Sequence, residues 1–435
     1  MRILLEELRP PLTWSLASTL NGGPRTALIV GSANVEAWDC VYVGSDGWEV
    51  VLSPDSPVAI GSLVNPIGAY GAACMAVGEV WKRLLTPHVA LFPGRPIVPI
   101  DRLLRFSCFT YRSDSPGDEN PPLPSAIDVG RLTIVGLGAG GGACAFGLAS
   151  LPELRGNLTT IEPDEVNLSN LNRYVFAAEA DARVKRPKTD VVEALFERYH
   201  GLTVVKFAAP FSHVVNHLSV ADLRHVLAAV HSRQARRELQ YETPEVMWDA
   251  GATEDGDFRI WRISFGRTEC MFCKHPADQG DPERHQAAQL ADLLGLDGET
   301  WLQKIRDNTP FSAAEVAKLG ARRQSLCTTF DLPEEGQRYS DWYPSQCGRL
   351  KLPEWDQEIP IPFAPVMAGI LLAGEVIKQR HFPSAVLPYY YGNTLVGNWM
   401  RKVLPYGRSP KPDCKFCQDP AYAAQFERRW GVRPG

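Results

Sequence analysis

RLTIVGLGAGGGACAFGLAS, Arg131 to Ser150, is the stretch from which the rest of the chain is read. RLTIVG, Arg131 to Gly136, reads as a buried strand, and it runs into Gly136-Leu137-Gly138-Ala139-Gly140-Gly141. Gly136, Gly138 and Gly141 stand at the spacing Gly-x-Gly-x-x-Gly. Such glycines permit a tight turn and let the backbone approach a phosphate, while the N-terminus of the following helix supplies N–H donors and a favourable dipole. Residues 142 to 151 carry the helix, and LTTIEP, Leu158 to Pro163, is the next strand. A strand–helix–strand unit of a parallel sheet follows, with a nucleotide site at its glycine loop. Glu162 ends the second strand, where a carboxylate can accept hydrogen bonds from ribose hydroxyls.

Working outward, SDSPGDENPPLPS, Ser113 to Ser125, is Pro-rich and polar without apolar periodicity, and we place a domain boundary there. Residues 1–125 then form a first domain. From Pro276 to about Gly348, charged helical segments such as HQAAQLADLLGL and AAEVAKLGARRQS interrupt the strand and helix alternation, so 276–348 reads as an inserted helical subdomain. The apolar helix PVMAGILLAGEVIKQR brings the chain back to its core, which leaves 126–275 and 349–435 as the central domain. Ala73 to Arg83, ACMAVGEVWKR, lines up with Gly369 to Gln379, GILLAGEVIKQ, through Gly-Glu-Val-x-Lys at 78–82 and 374–378. Two readings stay open: chance similarity between amphipathic helices, or a duplicated fold whose first copy lost its nucleotide loop.

Bulk composition narrows the function classes. The chain has 435 residues, 45% hydrophobic and 22% charged, enough for two or three domains. Its net charge is −5 and its pI about 6.0, without a run of Lys and Arg, so no electrostatic footprint for nucleic acid is present. No stretch approaches the roughly 18 uninterrupted apolar residues of a membrane span, and MRILLEELRPP lacks a long apolar region with a cleavage site, so a cytoplasmic location is expected. Four of the ten cysteines fall in two Cys-x-x-Cys pairs, which favours metal binding and reduced thiols over a disulfide framework.

Beyond the second strand, IEPDEVNLSNLNRYVF (161–176) packs Asp164, Asn170, Asn172 and Arg173 together, and RPKTDVVEAL (186–195) adds Lys188 at a helix start. At that sheet edge Arg and Lys can clamp a triphosphate and stabilise charge as pyrophosphate leaves. The combination resembles the superfamily of ubiquitin-activating enzymes and the bacterial ThiF and MoeB adenylyltransferases. Its hallmark is a Gly-rich loop, then Asp-x-Asp-x-Val-x-x-Ser-Asn-Leu-Asn-Arg-Gln, then a Lys in a Lys-Pro-Lys-Ala-like segment. This chain has Glu162-Pro163-Asp164-Glu165-Val166-Asn167-Leu168-Ser169-Asn170-Leu171-Asn172-Arg173-Tyr174 and Arg186-Pro187-Lys188.

The resemblance implies an α/β fold: a Rossmann-like adenylation domain with a mostly parallel sheet, a degenerate N-terminal adenylation-like domain and a helical cysteine subdomain. It implies ATP at Gly136, Gly138, Gly140 and Gly141, with Glu162 on the ribose, Asp164 nearby, Asn170 and Arg173 on the phosphates, and Lys188 on the phosphate whose charge grows during adenylation. The family's magnesium-binding Asp is replaced by His231 in LAAVHSRQARRELQ, with Arg236 or Arg237 in the place of the family's Arg. Imidazole is a poor ligand for hard Mg²⁺, so either Asp164 or Asp249 takes the metal or the enzyme is weakened. The implied activity is ATP-dependent adenylation of the C-terminal carboxylate of a ubiquitin-like protein, with a ubiquitin-conjugating-type enzyme as a further partner and a homodimer as an assembly. By analogy it extends to bacterial conjugation operons linked to phage defence. The alternatives are a sulfur-carrier adenylyltransferase and a scaffold that binds a ubiquitin-like protein.

Cys270-Met271-Phe272-Cys273 and Cys414-Lys415-Phe416-Cys417 are two knuckles whose four thiolates can close a tetrahedral Zn²⁺ site and tie distant parts of the chain together. Cys40, Cys74, Cys108 and Cys144 lie in apolar surroundings and read as core residues. Cys327, in the polar segment SLCTTFDLP, is different. Ubiquitin-activating enzymes keep a thioester cysteine in this interval, commonly as Cys-Thr followed by Pro, and Cys327-Thr328 with Pro333 looks like that pattern. Cys347 in YPSQCGRL is its rival.

Overall fold

Leu132, Thr133, Ile134 and Val135 are all buried, on both faces of their strand, as the centre of a parallel sheet requires. The computed structural model describes residues 26–33, 39–86, 97–113, 120–230, 232–252, 257–276, 291, 294–297, 300–301, 303–304, 307, 309–326, 332–342, 349–350, 359–360, 362–394, 401–404 and 408–432. His231, Cys327 and Cys347 lie outside them.

Residues 26–113 contribute strands β1 (Ala27–Val30), β2 (Cys40–Asp46), β3 (Glu49–Ser53) and β4 (Leu104–Ser107), in that spatial order. β1 and β2 are parallel and the other pairs antiparallel. Helix α1 (Pro66–Leu85) starts with Asn65, whose side chain accepts from Ile67 N, and with Pro66 in the first turn, where no N–H is needed.

The larger sheet holds β5 (Ile127–Val135), β6 (Leu154–Ile161), β7 (Gly201–Phe207), β8 (His225–Ala228), β9 (Val246–Ala252), β10 (Asp257–Ile263), β11 (Tyr390–Thr394) and β12 (Arg401–Leu404). Its order is β12-β11-β10-β9-β8-β5-β6-β7. β7, β6, β5, β8 and β9 are parallel, as the strand–helix–strand reading requires, and β10 to β12 continue the sheet antiparallel. Helix α2 (Ala139–Ala149) follows β5, α3 (Lys188–Leu195) precedes β7, and α4 (Arg233–Tyr241) joins β8 to β9. The fold is thus α/β and Rossmann-like. Among the described residues of 291–342, helix α5 (Ala313–Leu326) and a small separate core of Leu294, Trp301, Phe311, Leu319, Tyr339 and Trp342 are found.

Helix α6 (Phe363–His381) is buried on nearly every side from Phe363 to Lys378. It packs against α2, α1 and the sheet, and one apolar core runs from Trp48, Ile67 and Phe106 through Val376 to Ile134 and Trp248. The repeated Gly-Glu-Val-x-Lys segments fall on α1 and α6. In each, Glu and Lys form an ion pair with no exposure, Glu79 with Lys82 and Glu375 with Lys378. Lys82 donates to Val98 O (3.0 Å) and Glu79 accepts from Ile100 N (2.9 Å). Glu375 accepts from Tyr111 OH (2.5 Å) and Leu387 N (2.8 Å), and Lys378 donates to Phe109 O (2.9 Å). The second pair therefore bonds α6 to the N-terminal part of the chain. Helix α7 (Pro420–Trp430) comes last. No helix among the described residues is long and apolar enough to cross a membrane.

Candidate nucleotide site and metal centre

The glycines of the loop have separate jobs. Gly136 has φ 88°, and a Cβ there would stand 2.6 Å from Ala229 O. A Cβ on Gly141 would stand 1.9 Å from Gly136 O. These two let the chain turn and pack. Gly138 differs, because among the described residues no atom beyond its two chain neighbours lies within 4 Å of its would-be Cβ. It is also the N-cap of α2 and has no side chain to satisfy the first-turn N–H groups. The arrangement leaves an open, donor-rich face at the carboxyl edge of the parallel strands. A Cβ on Gly140 would make, among the described residues, an ordinary contact at 3.5 Å from Pro365 O.

Lys188 reaches this edge because the segment before it pairs back on the end of β6. Val166 N donates to Arg186 O (2.9 Å) and Lys188 N to Asp164 O (3.1 Å). The Lys188 ammonium then lies 2.9 Å from Asp164 Oδ2 and 3.4 Å from Glu162 Oε1. Burial opposes its charge, but Glu162, Tyr174 and Asp164 outweigh burial and hold its pKa above the usual lysine value. Glu162 is 6% exposed. Its Oε2 accepts from Leu137 N (2.6 Å) inside the glycine loop, and its Oε1 accepts from Asp164 N (3.1 Å). Burial raises the Glu162 pKa; Lys188 pulls it down, Asp164 adds to it, and the two N–H donors lower it. The carboxylate placed on the ribose by the sequence thus also ties the loop to β6 and to Lys188.

Asn170 and Arg173 come from the turn that follows. Asn170 is buried and its Oδ1 accepts from Asn167 N (3.1 Å), so it shapes the turn. Arg173 is half-buried and donates to Ser169 O and Asn172 Oδ1, both at 3.0 Å. Sequence reasoning missed Tyr174, whose ring both Arg173 and Lys188 overlie.

The register places Val135, Ala228 and Asp249 side by side across β5, β8 and β9. Asp249 is 1% exposed and accepts from Arg236 Nε at 2.6 Å, while Arg236 Nη2 donates to Ala250 O (3.3 Å). Of the two carboxylates considered for magnesium, Asp249 is committed to this buried pair, whereas the Asp164 side chain is 54% exposed.

The two knuckles meet. All four sulfurs of Cys270, Cys273, Cys414 and Cys417 lie within 4.8 Å of one another. Three separations are 3.7, 3.7 and 3.8 Å, and all four are free thiols. A tetrahedron with Zn–S of about 2.3 Å has edges of about 3.8 Å, so the donor set fits zinc. Phe265, Phe416 and Phe426 pack around it. Cys40, Cys74, Cys108 and Cys144 are buried; burial pushes the Cys74 thiol up to about 12 and raises Cys108 and Cys144 as well, as for inert core thiols. A groove of about 730 Å³ lined by Val220, Tyr241, Glu242, Gln425, Arg428 and Arg429 shares no residue with the glycine loop or Lys188.

The ThiF family is matched over residues 125–415. Among curated proteins, the uncharacterized protein y4jF of Sinorhizobium fredii (strain NBRC 101917 / NGR234) is 26% identical over 451 residues, covering 98% of this chain and 82% of that protein. Among solved structures, E. coli MccB with MccA-N7isoASN is 16% identical with a TM-score of 0.38 over 67% of each chain. A structure of E. coli MccB is 12% identical with a TM-score of 0.37, covering 87% of this chain and 95% of that one.

Proposed function

The chain belongs to the ThiF family, and on that footing we propose that it uses ATP to adenylate the C-terminal carboxylate of a ubiquitin-like protein. The observation that carries the reading is Lys188, held by Glu162 and Asp164 beside a glycine loop whose Gly138 face is open. In the reaction a carboxylate oxygen of the protein substrate attacks the α-phosphorus of ATP. The new O–P bond forms as the bond to the bridging oxygen breaks, and pyrophosphate leaves with the electron pair. Lys188 and Arg173 supply the positive charge that offsets what develops on the phosphates. Gly138 and the first turn of α2 supply backbone donors, Gly140 lets the backbone come close, and Asn170 keeps Arg173 at the edge. Mg²⁺ neutralises phosphate charge when bound, and Asp164 is the carboxylate suited to hold it. Zn²⁺ at Cys270, Cys273, Cys414 and Cys417 has a structural part.

In this reading the Cys327 thiolate then attacks the acyl carbonyl, AMP departs, and the carrier is held as a thioester for a ubiquitin-conjugating-type enzyme. The proposed setting is cytoplasmic, and the bacterial conjugation pathways of phage defence are the nearest analogy. The proposed domain division is 1–125, 126–275 with 349–435, and 276–348. ATP–pyrophosphate exchange with a purified ubiquitin-like protein, followed by a non-reducing gel, tests the reading. Exchange with a reducible adduct that disappears in Cys327→Ala supports it. An adduct that disappears only in Cys347→Ala moves the nucleophile, exchange without an adduct leaves sulfur-carrier activation, and no exchange ends the enzymatic reading in favour of a scaffold.

A further inference from the structure

Tyr174 follows Arg173 where the family hallmark carries Gln. It is 6% exposed, and its ring stacks on Phe176 at 5.1 Å and 21°. Phe176 in turn fills the space over Gly142 in the first turn of α2, where a Cβ would come within 1.9 Å of the ring. The Tyr174 ring is therefore fixed relative to the glycine loop. Both cations of the site lie over it, Lys188 Nζ at 5.4 Å and Arg173 Cζ at 5.6 Å from its centroid.

Two like charges gathered at one place repel, and something must offset that repulsion before a triphosphate arrives. Glu162 and Asp164 do so for Lys188, but their negative charge opposes phosphate as well. An aromatic face attracts cations within about 6 Å through its quadrupole and carries no net charge. A Gln amide could hold cations only through directional hydrogen bonds to the two lone pairs of one oxygen, whereas a ring face attracts both without that directional demand.

We propose that Tyr174 is a positioning residue of the phosphate site, its ring holding Arg173 and Lys188 together as a ready-made pair for the triphosphate. This rests on the ATP-site reading above. The contribution belongs to the ring and is felt only by a ligand with phosphates.

Titration calorimetry of the full chain with ATP and with adenosine, both in magnesium buffer, tests it, with thermal unfolding recorded for each variant. Tyr174→Leu should lower the ATP-to-adenosine affinity ratio by about five- to thirtyfold, the range that cation–ring contacts support. Tyr174→Gln should behave like Tyr174→Leu, and it is read in its place if the Leu variant does not fold. Tyr174→Phe keeps the ring and should restore the ratio to within about threefold, since the hydroxyl takes no part in the quadrupole attraction. An unchanged ratio in folded Tyr174→Leu or Tyr174→Gln overturns the proposal. So does an equal loss of both affinities, which is what a merely structural role gives, and so does a ratio lost in Tyr174→Phe. A wild-type chain that binds adenosine and ATP alike overturns the ATP-site reading itself.

Discussion

Lys188→Met removes the ammonium 2.9 Å from Asp164 and 3.4 Å from Glu162 while keeping much of the side-chain volume. Asp164 is half exposed and regains water. Glu162 is buried and does not. Removing one member of a buried ion pair costs about 3–5 kcal/mol, and because Leu137 N and Asp164 N still donate to Glu162 the low end, about 3 kcal/mol, applies. At about 2–4 °C per kcal/mol the melting temperature at pH 8 should fall by roughly 6–12 °C. The pH dependence has a definite sign. Burial already raises the Glu162 pKa and Lys188 is what restrains it, so in the variant the folded-state pKa climbs further above the unfolded value. The native state then keeps a proton that the unfolded chain has released, and stability falls as pH rises from the ordinary carboxylate range towards the raised value. The deficit against wild type should therefore shrink when the melt is repeated at pH 5, and Lys188→Met/Glu162→Gln should recover much of it. A deficit equal at both pH values, or below about 1 kcal/mol, would refute the assignment of Glu162 and Lys188 as a coupled buried pair.

Chelation should lower the melting temperature and Cys414→Ser should mimic it, because a structural zinc contributes directly to folding free energy; metal analysis finding no zinc in folded, reduced protein would end that claim. Arg236→Ala strands Asp249 and should cost about 3–5 kcal/mol by thermal unfolding, and a neutral result would show that Asp249 is not charged and paired as described. Gly141→Ala, whose Cβ meets Gly136 O, should not yield a normally folded chain, whereas Gly138→Ala should melt like wild type yet bind ATP more weakly. If Gly138→Ala left ATP titrations unchanged, the open face of the loop would not be the phosphate side.

What could be read from the residues was whatever depends on short spacings. The strand, glycine loop and helix from Arg131 onward needed only local periodicity and the steric rules for glycine, and the knuckles needed only the reach of two thiols three residues apart. Asp249 and Arg236 are both visible in the sequence, yet nothing in a 13-residue separation says that one strand and one helix will bury them together. Strand β8 is four residues long, too short for periodicity to announce it, although it carries the register that puts Asp249 beside the loop. The repeated Gly-Glu-Val-x-Lys could be aligned, but an ion pair with no exposed surface is a property of packing, and a surface Glu-Lys pair at the same spacing has the same letters. Tyr174 was passed over because a Tyr beside Arg reads as an ordinary loop residue until Lys188 is brought over the same ring.

The four sulfurs come from two places 144 residues apart in the chain. During synthesis the first knuckle leaves the ribosome with only two thiols, half of what zinc needs, and it waits while the whole interval up to Cys414 is made. A chain that stops short of that point cannot assemble the four-sulfur site. Loading of the proposed zinc therefore reports that synthesis has passed Cys417.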